Sequence, residues 1–203
     1  MKKLLIIGSI LVLLIGCAST DFTYYKPVGP GSYFKTQCGG PDELLGFEVS
    51  DGLGVMVDTR ALRTDHTKAI AASFHLGENH KLEFESPEFM VVSGVSRKST
   101  SYTFTEVVNL DYVKKSDGRW SMKRKNIPIS RPLHGALLPE GFRSMLYKPF
   151  QNYRTYAVEV PIEGHEEQDI TIVFPRILLD GIDVEIPDIK IEYTNRKHMS
   201  FIC

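Results

Sequence analysis

The feature that most constrains this chain is a two-residue hydrophobic period that recurs along most of its length. Leu45, Phe47 and Val49 alternate with polar or small residues, as do Leu53, Val55 and Val57, and then Ile70, Ala72, Phe74 and Leu76. Leu82 and Phe84 follow the turn Gly77-Glu78-Asn79, and Tyr102, Phe104, Val108, Leu110 and Tyr112 share one face of a long strand. Successive strand residues point to opposite faces, so this period describes half-buried strands. Thr64–Phe74 admits a short helix, since Ile70 and Phe74 are four apart, but alternation running on to Leu76 favours a strand.

Turn chemistry fixes two hairpins. With Ser116-Asp117-Gly118 as a three-residue loop and Gly118 left-handed, Tyr112 faces Met122 and Lys114 faces Trp120. With Asp180-Gly181 as a two-residue type I′ loop, Leu179 pairs with Ile182, Ile177 with Val184 and Pro175 with Ile186. On the other face Arg176 meets Glu185. Pro175 and Pro187 interrupt the ladder. A last strand, Ile189-Ile191-Tyr193, runs into the basic tail Arg196-Lys197-His198. Short strands with regular turn signals predict an all-β antiparallel β-sandwich, immunoglobulin-like in one form, with a closed β-barrel as the alternative.

The first residues follow another rule. Met1-Lys2-Lys3 precedes an apolar run from Leu4 to Ile15, broken only by Gly8 and Ser9. That run is too short to span a bilayer and fits the core of a secretory signal peptide. The tetrad Leu14-Ile15-Gly16-Cys17 resembles the lipobox of bacterial lipoproteins. The resemblance implies acylation of the Cys17 thiol, cleavage before it and stable anchoring to a membrane by several acyl chains. Ala18 stands where enteric lipoproteins retained in the inner membrane carry aspartate, which implies the outer membrane, facing the periplasm. The expected organisation is a cleaved signal peptide over 1–16, a lipidated N-terminus and tether over 17–41, and one β-rich domain over 42–203. The tether reading rests on Pro27, Gly29, Pro30, Gly31, Gly39, Gly40 and Pro41. Tyr24, Tyr25, Tyr33 and Phe34 are unusual in a linker and suggest an irregular first strand.

Of the three cysteines, Cys38 and Cys203 remain beside the lipidated one. In an oxidising envelope they form a candidate disulfide joining the start of the domain to its last residue. Net charge is −1, from 24 basic and 25 acidic residues, so no global field draws nucleic acid.

No catalytic constellation is legible, and no cofactor or metal is implied. His66, His75 and His80 are too far apart in sequence for the spacings of a metal motif, and the histidines read as surface or turn residues. Ser32-Tyr33-Phe34-Lys35 matches S-x-x-K, but it lies in a Gly/Pro-rich stretch without the companion motifs. The most basic segment carries Arg119, Trp120, Lys123, Arg124 and Lys125, a candidate interaction patch for anionic groups or an acidic partner. Its plain alternative is an exposed hairpin kept from edge pairing by lysines. Ile127–Gln151, with four prolines and two glycines, reads as a long ordered loop or a short helix around Phe142–Tyr147, and long loops on a β scaffold are where binding surfaces tend to sit. The expected function is a non-enzymatic envelope lipoprotein that binds a protein partner, such as an immunity protein or an accessory subunit of an envelope machine. The alternative is a small-molecule or glycan binder with Tyr102, Phe104, Tyr112, Trp120 and Tyr147 lining a cleft.

Overall fold

The alternating segments are strands, and they are laid out in a computed structural model that describes residues 19–34, 41–64, 68–138 and 153–199. In chain order these are β1 (Ser19–Val28), β2 (Ser32–Tyr33), β3 (Leu44–Ser50), β4 (Leu53–Asp58), the short helix α1 (Arg60–Thr64), β5 (Ala69–Leu76) and β6 (Lys81–Ser86). Then come β7 (Glu88–Ser93), β8 (Ser99–Thr103), β9 (Glu106–Lys114), β10 (Trp120–Pro128) and β11 (Leu133–His134). β12 (Arg154–Pro161), β13 (Ile170–Val173), β14 (Arg176–Leu179), β15 (Ile182–Val184) and β16 (Ile189–Met199) complete the series.

The strands form an antiparallel β-sandwich. A seven-stranded sheet runs β10-β9-β12-β5-β4-β3-β2, a five-stranded sheet β1-β16-β13-β7-β8, and a four-stranded sheet β11-β6-β14-β15. Among the described residues no sheet closes into a barrel, and the strands outnumber the about seven to nine of an immunoglobulin domain. The two smaller sheets are successive parts of one layer. β7 pairs with β13 and β6 with β14, and both ladders break at the same level, at Pro87 on one side and Phe174-Pro175 on the other. Proline lacks the N–H a ladder needs, which explains the break.

The core lies between this layer and the seven-stranded sheet. Val55, Val57, Ile70, Ala72, Phe74, Val158 and Val160 meet Leu82, Phe89, Val91, Ile170, Ile172, Ile177 and Ile191 in one buried cluster. The Phe74 ring contacts Phe84 edge-on at 5.3 Å between centroids and Phe174 at 6.5 Å. Each such large side chain, fully buried, contributes roughly 1.5–3 kcal/mol.

Both predicted hairpins have the expected register where they pair, Tyr112 opposite Met122, Lys114 opposite Trp120, Leu179 opposite Ile182 and Ile177 opposite Val184, but the second ladder ends before the expected pair Pro175 and Ile186. Gly118 (φ 81°), Asp180 (φ 55°) and Gly181 (φ 82°) take the left-handed conformations these turns require. The charge couple differs. β15 ends at Val184, so Arg176 reaches Asp183 at 3.0 Å and Glu85 at 3.2 Å instead of Glu185.

Three further expectations change. Much of the segment read as a tether is strand: β1 pairs with β16 over its whole length, from Ser19 opposite Met199 to Val28 opposite Lys190. The tyrosines hold it. Tyr25 is buried, packs on Tyr193 at 5.1 Å, and its hydroxyl accepts the Glu167 N–H at 2.8 Å. The long strand from Tyr102 to Tyr112 is two strands in different sheets, β8 and β9, with Phe104 buried at the crossing. After that crossing Val107 and Asn109 face the core, and Val108 and Leu110 the opposite side. In the Ile127–Gln151 loop, Ile127 and Pro128 belong to β10, Leu133 and His134 form β11, and residues 139–152 lie outside the described residues.

Candidate functional site

Because strand parity sends Val55, Val57, Ile70, Phe74 and Val158 into the core, the intervening residues form the other face of the seven-stranded sheet. The ladders align them in rows. Gly54, His75, Thr155, Leu110 and Arg124 lie side by side, as do Met56, Ser73, Ala157 and Val108, and then Asp58, Ala71 and Glu159. The middle of this face is floored by Ala71, Ser73 and Ala157, whose small side chains leave a depression between Met56 on one side and Val108 and Leu110 on the other. The result is an open groove of about 320 Å³, with Leu44 and Arg60 also at its wall.

Its rim is charged with both signs. Asp58 and Arg60 form a two-point ion pair, Nε to Oδ1 at 2.9 Å and Nη2 to Oδ2 at 2.5 Å, while Glu159 and Arg124 are exposed. At one end sits His75, 6% exposed. Its Nε2 is 3.1 Å from Ser73 Oγ and its Nδ1 is 3.1 Å from Thr155 Oγ1. A hydroxyl both donates and accepts, so the neutral ring is satisfied in either tautomer. Burial pushes the His75 pKa down to about 4, so the ring is uncharged at neutral pH.

Ser73 and His75 stand at a nucleophile–base distance, 3.1 Å apart. The group behind His75 is a hydroxyl, which does little to stabilise an imidazolium, and a base of such low pKa is weak at neutral pH. Ser73 lies in mid-strand with β5 paired on both sides, so its neighbouring backbone N–H groups serve the ladders rather than an oxyanion.

Of the residues singled out from sequence, Cys17, Cys38 and Cys203 lie outside the described residues. The basic segment is not gathered into one patch. β10 is an edge strand, and Arg124, opposite Leu110, joins the groove. Lys123 and Lys125, opposite Asp111 and Asn109, fall on the other face. Arg119 sits in the turn, its guanidinium held by Asp117 at 2.7 Å, and Trp120 opens the strand opposite Lys114. Tyr102 and Phe104 pack on or in the core, away from the groove, and Tyr147 lies outside the described residues. The histidines read as surface or turn residues; His165 does lie in a turn, its N–H on the Ile162 carbonyl at 2.9 Å, but it and His75 in mid-strand are buried, at 5% and 6% exposure. The Ser73-x-His75 alternation was the available signal; Thr155, eighty positions away, completes the cluster only in the fold.

No protein-family model, curated protein or solved structure matches this chain.

Proposed function

We propose that this protein is a lipid-anchored lipoprotein of the cell envelope that acts as a non-enzymatic protein-binding module, taking an extended segment of its partner in the groove of the seven-stranded sheet. The observation that carries this reading is the groove itself: a depression crossing β4, β5, β12 and β9, floored by small side chains and rimmed by Asp58, Arg60, Glu159 and Arg124. Four strands span roughly 15 Å, enough for several residues of extended chain. Charges of both signs at the rim set orientation and partner choice more than affinity.

The anchor fits this geometry. β1 begins at Ser19, so acylation of Cys17 leaves only Ala18 between the lipid and the sandwich. The opposing strand brings Arg196, Lys197 and His198 to register positions opposite Phe22, Asp21 and Thr20, a few residues in sequence from Cys17. The outer membrane, periplasmic face, remains the proposed address.

A second reading is a small-molecule binder. The groove's volume falls at the low end of ligand pockets, about 300–1,000 Å³, and Ser73 and Thr155 supply hydroxyls. Affinity capture from detergent-solubilised membranes separates the two, with wild type compared against Ala157→Arg. Loss of one stoichiometric protein in the variant supports the protein-binding reading; equal recovery from both forms contradicts it.

A further inference from the structure

A second concavity opens on the core-side face of the same sheet, where β12, β9 and β10 run past β11. It has a volume of about 340 Å³, and its wall includes Asn109, Asp111, Lys125, His134, Arg154 and Tyr156. Tyr156, Asn109 and Lys125 lie side by side across the three strands. Arg154 and Asp111 come next along β12 and β9, Nε to Oδ1 at 3.9 Å. Lys123, opposite Asp111, is exposed at the end of that row.

Asn109 is the anomaly. It is 5% exposed, lies among core-facing positions, and its Oδ1 has no hydrogen-bond partner. A buried amide oxygen left unmet is destabilising, so natural chains place one where something meets it. Here the side chain lines the concavity. The other polar groups are already directed: the Tyr156 hydroxyl donates to the His134 carbonyl at 2.6 Å, and Arg154 Nη1 reaches the same carbonyl at 3.4 Å. Among the described residues the lining carries Lys125 and Arg154 against one carboxylate, Asp111, so the wall is cationic on balance.

We propose that this concavity is a binding site for a phosphate ester carrying a free hydroxyl. The phosphate lies against Arg154 and Lys125, and on binding the Asn109 amide turns its Oδ1, otherwise closed to solvent, toward the concavity to accept from the hydroxyl. Arginine and lysine are the ordinary phosphate partners, and neighbouring strands are spaced about 4.8 Å apart, which suits the nearest hydroxyl of such an ester, about four bonds from the phosphorus along P–O–C–C–O. A free glycerol or sugar phosphate and the headgroup of a glycerol-headed phospholipid share this chemistry. The site lies on the opposite face from the groove and stands or falls separately from it.

The test titrates the full chain in detergent with sn-glycerol 3-phosphate, with dihexanoyl phosphatidylglycerol and with inorganic phosphate, by calorimetry and amide chemical shifts. Saturable binding of either ester is expected, weakened about tenfold or more by Arg154→Ala and by Asn109→Leu. Binding of the soluble ester alone assigns a free ligand, and binding of the short-chain lipid assigns a headgroup. Neither ester binding at millimolar concentration overturns the proposal. So does binding that both variants retain, or inorganic phosphate binding as tightly as the esters.

Discussion

His75 and Thr155 face each other across the β5–β12 ladder with Nδ1 and Oγ1 3.1 Å apart, although eighty positions separate them in sequence. The contact seats a titratable ring at one end of the groove with little of it exposed.

Burial sets the pH dependence that follows. The folded His75 pKa of about 4 lies below the ordinary 6.5, so the unfolded chain takes up the proton first as pH falls. The favourable contribution is full above 6.5 and is lost as pH drops toward 4. Denaturant unfolding at successive pH values should show wild type losing on the order of 3 kcal/mol over that window relative to His75→Gln. Parallel curves for the two proteins would place the ring in an exposed setting.

Asn109 gives a prediction of opposite sign to most core substitutions. Its unmet Oδ1 means that Asn109→Leu removes an uncompensated polar group from a buried site. Thermal unfolding without added ligand should show the variant as stable as wild type or up to about 1–2 kcal/mol more stable. A loss of similar size would mean the amide has a structural partner.

Gly135 is held where only glycine fits. A Cβ there would lie 1.7 Å from the Gly77 carbonyl oxygen. Both backbones are pinned, Gly77 N–H to the Gly52 carbonyl at 2.8 Å and Gly135 N–H to the His80 carbonyl at 2.9 Å. Gly135→Ala should therefore destabilise by about 2–3 kcal/mol in denaturant unfolding. Gly118→Asn, in an open left-handed turn with nothing within 4 Å of the added carbon, should change stability by less than about 1 kcal/mol.

The sandwich was legible because its signals are local. Alternation marked β3 to β5, and the Asp180-Gly181 and Ser116-Asp117-Gly118 turns fixed two registers. What sequence did not reveal depends on partners distant in the chain. β1 read chiefly as a linker, with only its tyrosines suggesting a strand, because the strand that covers it, β16, is at the other end of the described chain. The crossing between sheets at Phe104 reversed the face of everything after it, which put Asn109 inside and Val108 on the groove. The groove itself is made of alanines and a serine, residues whose importance lies in what they leave empty.

The most direct test places a photo-crosslinking amino acid at Ala157, on the groove floor, in cells expressing the full chain, and a second one at Glu83, exposed on the four-stranded sheet. The account predicts one discrete protein adduct from position 157, absent from position 83 and lost when Cys17→Ser removes the proposed lipidation site. No adduct at 157, or the same adducts from both positions, would contradict the groove as the binding surface.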